Sequence, residues 1–513
     1  MKKISQNRGS TKRNCGKKSS VIRKSIKPVL QKAACLLPAL VLALCILPIR
    51  AEADFEIPRT CLVRADGGTA YTVKTLDYDY DYNTYFSLRD MAMVLSDTEK
   101  AFALDVTKNA VSLNPGKAYT PVGGENIPWE DSGNPGASLG RNEFQVNGRK
   151  VFYYTMIMKM PSGYYDCFMM AADLAMILDL DITVPAAGTL QIQTEKPFRI
   201  SPAALEEEGY FDRVDTVLVG DASTGEIYYQ YRADIPHPIA SITKLMTYFL
   251  TMDRVYAGQI TLDQQVVVSD AVHLLSSSYD GVIRLEAGQE ITVQELLLGA
   301  LLPSSNECAL CLAETIAGSE ENFVRMMNRK AAELGLSDSV FVNSHGLPSY
   351  TESAFPPDRQ NHMSAEELFQ MVSGLLKVYP QVKEITSLRS AVLPSLELEI
   401  YNINPLLRNL PEATGLKTGS TNKAGSCLVT SLTADDGDRK HDLIVIVLGA
   451  ENSIERGRIS ELLARYALDT FYTGAEEEQE ETRTPEKGPE NLPVHAEVAV
   501  EWILQTAGIG MVQ

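Results

Sequence analysis

The spacing of hydrophobic positions changes along the chain and divides it into distinct textures. Residues 33–49 form an almost unbroken apolar run, which Pro38 and Pro48 make a poor spanning helix. From 54 to 198 the apolar positions come in short groups between Tyr- and Asp-rich stretches. One grouping occurs twice, as Asp90-Met-Ala-Met-Val-Leu95 and Asp173-Leu-Ala-Met-Ile-Leu178. Each copy follows a Phe-containing segment and precedes a β-like run, at 110–113 and 190–192, so a repeated helix-plus-strand unit is predicted. From about Pro197 to Tyr472 the pattern predicts strands at 216–220, 226–231 and 443–448, the first two joined as a hairpin by Asp221-Ala-Ser-Thr-Gly225. Helical spacing covers 241–252 and 293–317, the latter broken at Pro303. Strands surrounding helices in this order predict an α+β fold, with a smaller α+β repeat domain before it. After Gly474, the run Glu476-Glu-Glu-Gln-Glu-Glu481 and the Thr, Pro, Glu and Lys residues up to Pro489 cannot bury a core and read as a disordered linker. Residues 494–513 are weakly helical and lack the basic face of a membrane-surface helix.

Charge sharpens these boundaries. The first 53 residues hold twelve Lys and Arg and one acid, Glu52, and end on the small-residue site Ala51-Glu52-Ala53. That is the layout of a secretory signal, cleaved before Asp54 or retained as a membrane anchor. The Leu44-Cys45 pair is a poor lipoprotein box because Leu44 is bulky. The expected organisation is a signal peptide at 1–53, the repeat domain at 54–198, the larger domain at 199–474 and the acidic linker and tail at 475–513. A fragment from near Pro197 to near Thr473 is expected to fold by itself. Without the leader, 35 of the 47 basic and 65 of the 66 acidic residues remain, a net charge of −30, which argues against nucleic acid as a partner.

Five cysteines follow the leader, Cys61, Cys167, Cys308, Cys311 and Cys427, too few and too scattered for a disulfide framework. Cys308 and Cys311 have redox-pair spacing, but they fall within a helical run where i and i+3 simply share a face. The six histidines form neither HExxH nor another zinc pattern, so no metal and no cofactor is expected.

Three short motifs then fall in order: Ser241-Ile-Thr-Lys244, Ser304-Ser-Asn306 and Lys417-Thr-Gly419. Taken alone, Ser241-x-x-Lys244 is an ordinary helix start with a solvated lysine, and Lys417-Thr-Gly419 an ordinary turn. Together they describe a catalyst. On a helix Ser241 and Lys244 face the same side, so the amine can take the hydroxyl proton. A free lysine has a pKa of about 10.4 and must fall toward neutrality to do so; burial and a second cation, Lys417, are the expected causes. Ser304 can relay a proton, and Asn306 can hold Lys244 and the substrate backbone. Thr418 can bond a substrate carboxylate, and Gly419 clears a strand edge for a peptide. The backbone N–H groups of Ser241 and Ser420 supply an oxyanion hole.

These residues resemble the D-alanyl-D-alanine carboxypeptidases among the low-molecular-mass penicillin-binding proteins, peptidase family S11, over about 199–472. The resemblance extends to Ala240-Ser-Ile-Thr-Lys-Leu-Met-Thr247, Phe341-Val-Asn-Ser-His-Gly-Leu347, Asn402-Ile-Asn-Pro-Leu-Leu407 and Gly415-Leu-Lys-Thr-Gly-Ser-Thr421. It implies the β-lactamase/D,D-peptidase-like fold, an antiparallel sheet flanked by helices plus a helical subdomain. It further implies acyl transfer on peptidoglycan stem peptides ending in D-Ala-D-Ala, no cofactor and inhibition by β-lactams. Arg456 is implied as a partner for the substrate carboxylate, with Arg458 as the fallback. The second motif reads Ser-Ser-Asn-Glu-Cys where the family usually has Ser-Gly-Asn-Asp-Ala, which keeps both functional side chains. The C-terminal β domain and basic anchor of many relatives have no visible counterpart, which leaves membrane or wall attachment open.

Two alternatives stand beside this reading. A β-lactamase on the same fold would need a deacylating Glu, for which Glu333-Leu-Gly-Leu336 offers only a superficial match. A silent wall-binding or sensor protein would need a damaged site. Residues 54–198, with Phe86-Ser-Leu-Arg-Asp90 and Asp105-Val-Thr-Lys-Asn109, resemble the copper amine oxidase N-terminal-like domain of exported bacterial proteins, without a copper-binding histidine cluster, since the first histidine is His237. That resemblance implies a spacer or wall-binding module, or a plain stalk.

Overall fold

The computed structural model describes residues 56–78, 83–129, 137–186, 188–198, 201–207, 209–348, 360–435, 437 and 439–471. The expected leader, its cleavage site and the acidic tail lie outside the described residues.

The amino-terminal region is one ten-stranded sheet with two short helices. Its elements are β1 (Glu56–Ala65), β2 (Tyr71–Tyr78), β3 (Asn83–Ser87), α1 (Leu88–Val94), β4 (Phe102–Val106), β5 (Val111–Pro115), β6 (Leu139–Val146), β7 (Arg149–Lys159), β8 (Tyr165–Met170), α2 (Ala171–Leu178), β9 (Asp181–Thr183) and β10 (Thr189–Gln193). The strand order is β4-β5-β6-β7-β8-β3-β2-β1-β10-β9. The sequence echo is an echo of structure: β3–α1–β4–β5 and β8–α2–β9–β10 each run strand, helix, antiparallel pair. The two copies meet where β3 pairs with β8.

The second region is built on a five-stranded antiparallel sheet, ordered β12-β11-β15-β14-β13. Its strands are β11 (Thr216–Asp221), β12 (Glu226–Tyr231), β13 (Ala413–Thr421), β14 (Gly425–Asp435) and β15 (Lys440–Ala450). The expected hairpin is β11–β12. Alternation along β14 aims successive residues at opposite faces. Cys427 and Val429 enter a core shared with α3 (Lys244–Tyr256), α4 (Val293–Leu301), α5 (Asn306–Ala317), α6 (Glu320–Glu333) and α7 (Ala365–Val378). Leu428 and Leu432 enter another core with α8 (Ser453–Phe471). The sheet is therefore covered on both faces, and the break at Pro303 separates α4 from α5 as the pattern predicted.

The two regions share that second core. One continuous buried cluster contains Val63, Phe86 and Leu174 of the ten-stranded sheet and Leu428, Val445, Leu462 and Leu463 of the other. Asn409 closes the join like a piece of backbone: its amide donates to Phe152 O and its oxygen accepts from Phe152 N, both at 3.2 Å. A mixed polar and apolar groove of about 780 Å³ runs along the boundary. An independently folding fragment beginning near Pro197 would expose this cluster, which bears on the expectation drawn from composition.

Candidate active site

The site begins with a backbone constraint. Ala240 has φ +46°, a conformation that side-chain-bearing residues adopt at a cost on the order of 1 kcal/mol. It opens the single 3₁₀ turn Ala240–Thr243 that runs into α3. Two glycines press on this turn. An alanine Cβ at Gly346, itself at φ +94°, would lie 1.9 Å from Ala240 O. One at Gly419 would lie 2.9 Å from Ile239 O and 3.1 Å from Ser241 N. Gly419 was expected to make room for a substrate peptide. Its immediate structural role is to let β13 close on the backbone of the nucleophile.

Lys244 is fully buried, and its Nζ touches three oxygens: Ser241 Oγ at 2.9 Å, Asn306 Oδ1 at 2.8 Å and the His345 carbonyl at 2.8 Å. The two carbonyl oxygens can only accept. They occupy two N–H bonds, so a neutral amine is left with its lone pair on the Ser241 hydroxyl, the arrangement a general base requires. The Asn306 amide cannot turn round, because its Nδ2 donates to Asp280 O at 2.9 Å. Burial pulls Lys244 down to about 7, opposed by the negative charge of Glu307. Burial, then the positive charges of Lys244 and Arg456, push Lys417 well below its ordinary value. The lysine was expected to fall through burial and through the Lys417 charge; burial is what lowers it, and the repulsion between the two amines falls on Lys417 instead.

Alternation along β13 sorts the third motif. Lys417 and Gly419 face the nucleophile's side, while Ser420 meets Arg456, whose Nη1 lies 3.4 Å from Ser420 Oγ. Thr418 is buried on the same face as Ser420. Arg456 is buried, and its Nε has no hydrogen-bond partner among the described residues. Arg458, the fallback, turns away: it pairs with Glu455 at 3.3 Å and feels Asp173 of the ten-stranded sheet.

Ser304 sits at φ +70° just before α5, and Ser305 caps that helix by accepting from Cys308 N. Among the described residues the Ser304 hydroxyl bonds neither amine; Lys417 Nζ donates instead to Thr418 O at 3.0 Å. Glu333, the weak candidate for a deacylating base, stands exposed at the end of α6 beside Lys330.

Several contributors were invisible in the motifs. Asn361 donates to Thr243 Oγ1 at 2.8 Å and to Asn343 O at 3.0 Å, and its oxygen accepts from Val342 N and Asn343 N. It ties the first helical turn to the loop that presents His345 O. Thr247 Oγ1 adds a bond to Ser344 O at 2.6 Å. The His345 ring is not a base, since burial and the Lys244 charge hold it at about 3. A cleft of about 390 Å³ opens beside these groups, lined by Tyr279, Asp280, Leu347, Pro348 and the 420–423 turn.

Residues 212–452, which hold all of the expected site residues except Arg456 and its fallback Arg458, match the sequence model of the D-alanyl-D-alanine carboxypeptidase family, Peptidase S11. The chain belongs to that family. Among family S11 relatives, it is 32% identical over 256 residues to the D-alanyl-D-alanine carboxypeptidase DacF of Bacillus subtilis, covering 49% of this chain and 61% of that protein. It is 31% identical to the D-alanyl-D-alanine endopeptidase of Pseudomonas aeruginosa, covering 42% and 66%. The chain thus spans less than two thirds of these curated relatives. Among solved structures, a peptidoglycan synthesis regulatory factor (PBP3) from Streptococcus pneumoniae is 35% identical with a TM-score of 0.46, covering 50% of this chain and 71% of that one. Penicillin-binding protein D2 from Listeria monocytogenes, in its ampicillin-bound form, is 27% identical with a TM-score of 0.43, covering 50% and 97%.

Proposed function

We propose that this S11 chain is a serine-type D-Ala-D-Ala carboxypeptidase that removes the terminal D-Ala of peptidoglycan stem peptides through an ester on Ser241. The observation that carries the reading is the Lys244 amine, buried, held by two carbonyl acceptors and left 2.9 Å from Ser241 Oγ. Lys244 takes the hydroxyl proton as Ser241 Oγ adds to the penultimate D-Ala carbonyl. The oxyanion is met by the N–H groups of Ser241 and Ser420. Collapse breaks the C–N bond, and the departing D-Ala amine takes the proton back from the Lys244, Ser304 and Lys417 group. Water then hydrolyses the ester and restores the serine. Thr418 and Arg456, whose Nε has no partner among the described residues, are suited to the substrate's terminal carboxylate.

A β-lactam carries an acyl group and a carboxylate in a similar relation, so it should acylate the same serine. Substrates of this class place the enzyme outside the cytoplasm. Among the described residues no helix is long and apolar enough to cross a membrane. The ten-stranded sheet then serves as a rigid spacer or wall contact.

The test compares Ser241→Ala with the unaltered protein, using intact-mass spectrometry after penicillin and D-Ala release from a pentapeptide. The protein should carry one persistent adduct on Ser241 and release D-Ala, and the variant should do neither. An adduct lost within seconds, with penicillin hydrolysed repeatedly and no D-Ala released, would establish a β-lactamase instead. Cleavage of a cross-linked peptide without D-Ala release would place the activity with the endopeptidases.

A further inference from the structure

Glu307 follows Asn306 on the first turn of α5, and the mechanism above gives it nothing to do. Its side chain is completely buried. Oε1 accepts the N–H groups of Val282, at 3.0 Å, and of Ile283. Oε2 is enclosed with no hydrogen-bond partner among the described residues. A glutamine oxygen would accept both N–H groups equally well. Enclosing a charge on an atom that nothing binds is costly unless the charge itself has a use.

Two neighbours supply that use. The segment held by Glu307 includes Asp280, whose carbonyl receives Asn306 Nδ2 and so turns Asn306 Oδ1 onto Lys244. Adjacent residues of one helical turn therefore grip one loop twice. The charged and titratable groups around Lys244 are Glu307 and Cys308 from α5, His345 from its loop and Lys417 from β13, with Arg456 of α8 acting on Lys417. The Cys308 thiol is pushed far up by burial and the His345 ring is pushed down, so both are neutral. Glu320 of α6 lies one residue farther out, 3.6 Å from His345 Nε2, and Glu307 is the carboxylate that acts on Lys244 itself.

We propose that Glu307 is a positioning residue of the acylation step: it fixes the loop whose Asp280 carbonyl orients Asn306, and its buried charge balances the cations of the cleft. The inference rests on the acyl-transfer reading above. Its consequence is a defined pH range. Lys244 acts only when neutral, so acylation rises with pH as the proton leaves. A nearby negative charge keeps that proton on, and removing the charge must shift the rise to lower pH.

The experiment measures the second-order rate of fluorescent-penicillin acylation against pH for the full-length protein and for Glu307→Gln and Glu307→Asp. Glutamine keeps the acceptor and should move the midpoint down by about half a pH unit or more. Aspartate keeps the charge but withdraws it by one methylene from the loop. Its midpoint should stay with the parent while the plateau rate falls about threefold or more. The same midpoints are read without reaction by NMR titration of carbon-labelled Lys244 in the Ser241→Ala background. A glutamine variant that titrates like the parent, or at higher pH, overturns the electrostatic role. An aspartate variant with the parental plateau overturns the positioning role. If the parent protein itself takes no label on Ser241, the functional reading fails, and the NMR titration still decides whether Glu307 controls Lys244.

Discussion

Lys74 in the ten-stranded sheet and Lys244 in the cleft are almost equally withdrawn from water, at 4% and 0% exposure, yet they are kept in opposite ways. Lys74 Nζ pairs with Asp90 Oδ1 at 2.8 Å and donates to the Gly124 and Ile127 carbonyls, while Asp90 also accepts from Lys74 N and Asn126 N. Every partner there is an acceptor for the amine, one of them a carboxylate, and the network pins the 124–127 loop to the sheet. Lys244 has carbonyls and a hydroxyl but no ion pair among the described residues. A buried amine with its own carboxylate is a fastener. One without is free to lose its proton, and so to do chemistry.

The same substitution at both sites tests this most strongly. Lys244→Met should lower penicillin acylation by about 10²- to 10⁴-fold while costing less stability than Lys74→Met, because no carboxylate is hydrogen-bonded to the amine and only its longer-range balance with Glu307 is lost. In the parent protein, acylation should rise with pH through about 7 as Lys244 loses its proton. A flat profile from pH 5 to 9 would mean that another group is the base.

Lys74→Met should do the reverse. It strands Asp90, at 0% exposure, and should cost about 3–5 kcal/mol of stability in denaturant unfolding, with the acylation rate of the folded fraction unchanged. Loss of activity without loss of stability would break the comparison.

The fragment 199–474 probes the shared core. Without the ten-stranded sheet, Leu462, Leu463 and their neighbours lose their covering. The fragment should melt below the full-length protein and bind a hydrophobic dye, while retaining the Ser241–Lys244 contact, which is local. Equal melting temperatures would show that the two regions are only loosely joined.

The smallest effect separates the two copies of the repeat. Asp90 and Asp173 hold corresponding places on α1 and α2, and burial raises both, but Asp90 is held by Lys74, whereas Asp173 has no salt bridge among the described residues and rises to about 7. An acid raised in the folded state holds its proton there while the unfolded chain has lost it. Stability from this group therefore falls as pH rises from about 4 through 7. Asp173→Asn should match the parent near pH 4 and exceed it at pH 8 by up to about 2 kcal/mol, as urea unfolding at the two pH values would show. Asp90→Asn should destabilise at both.

Much of the site was legible because its parts are local. Ser241 and Lys244 are three residues apart, and a helical turn makes them neighbours whatever surrounds them. The strands at 216–220, 226–231 and 443–448 and the break at Pro303 follow from periodicity, and the echo at Asp90 and Asp173 from repetition. The preference for Arg456 over Arg458 rested on the resemblance and not on spacing, because both occupy the same helix and only the sheet beneath decides which one reaches Ser420. Nor was the reason for Gly419, whose neighbours Ile239 and Ser241 lie some 180 residues earlier in the chain.

The sequence by itself determined the order of the three motifs, the α+β pattern and the family, because these depend on residue identity and spacing. Only the tertiary structure decided that Lys244 is neutral enough to act, since that follows from burial, and that its lone pair meets Ser241, since the carbonyls of His345 and Asn306 take its N–H groups. A backbone carbonyl carries no residue identity, and desolvation belongs to an assembled core. Glu307 shows the same division: the sequence places an acid beside Asn306, and the fold turns it into a buried side chain that acts on Lys244.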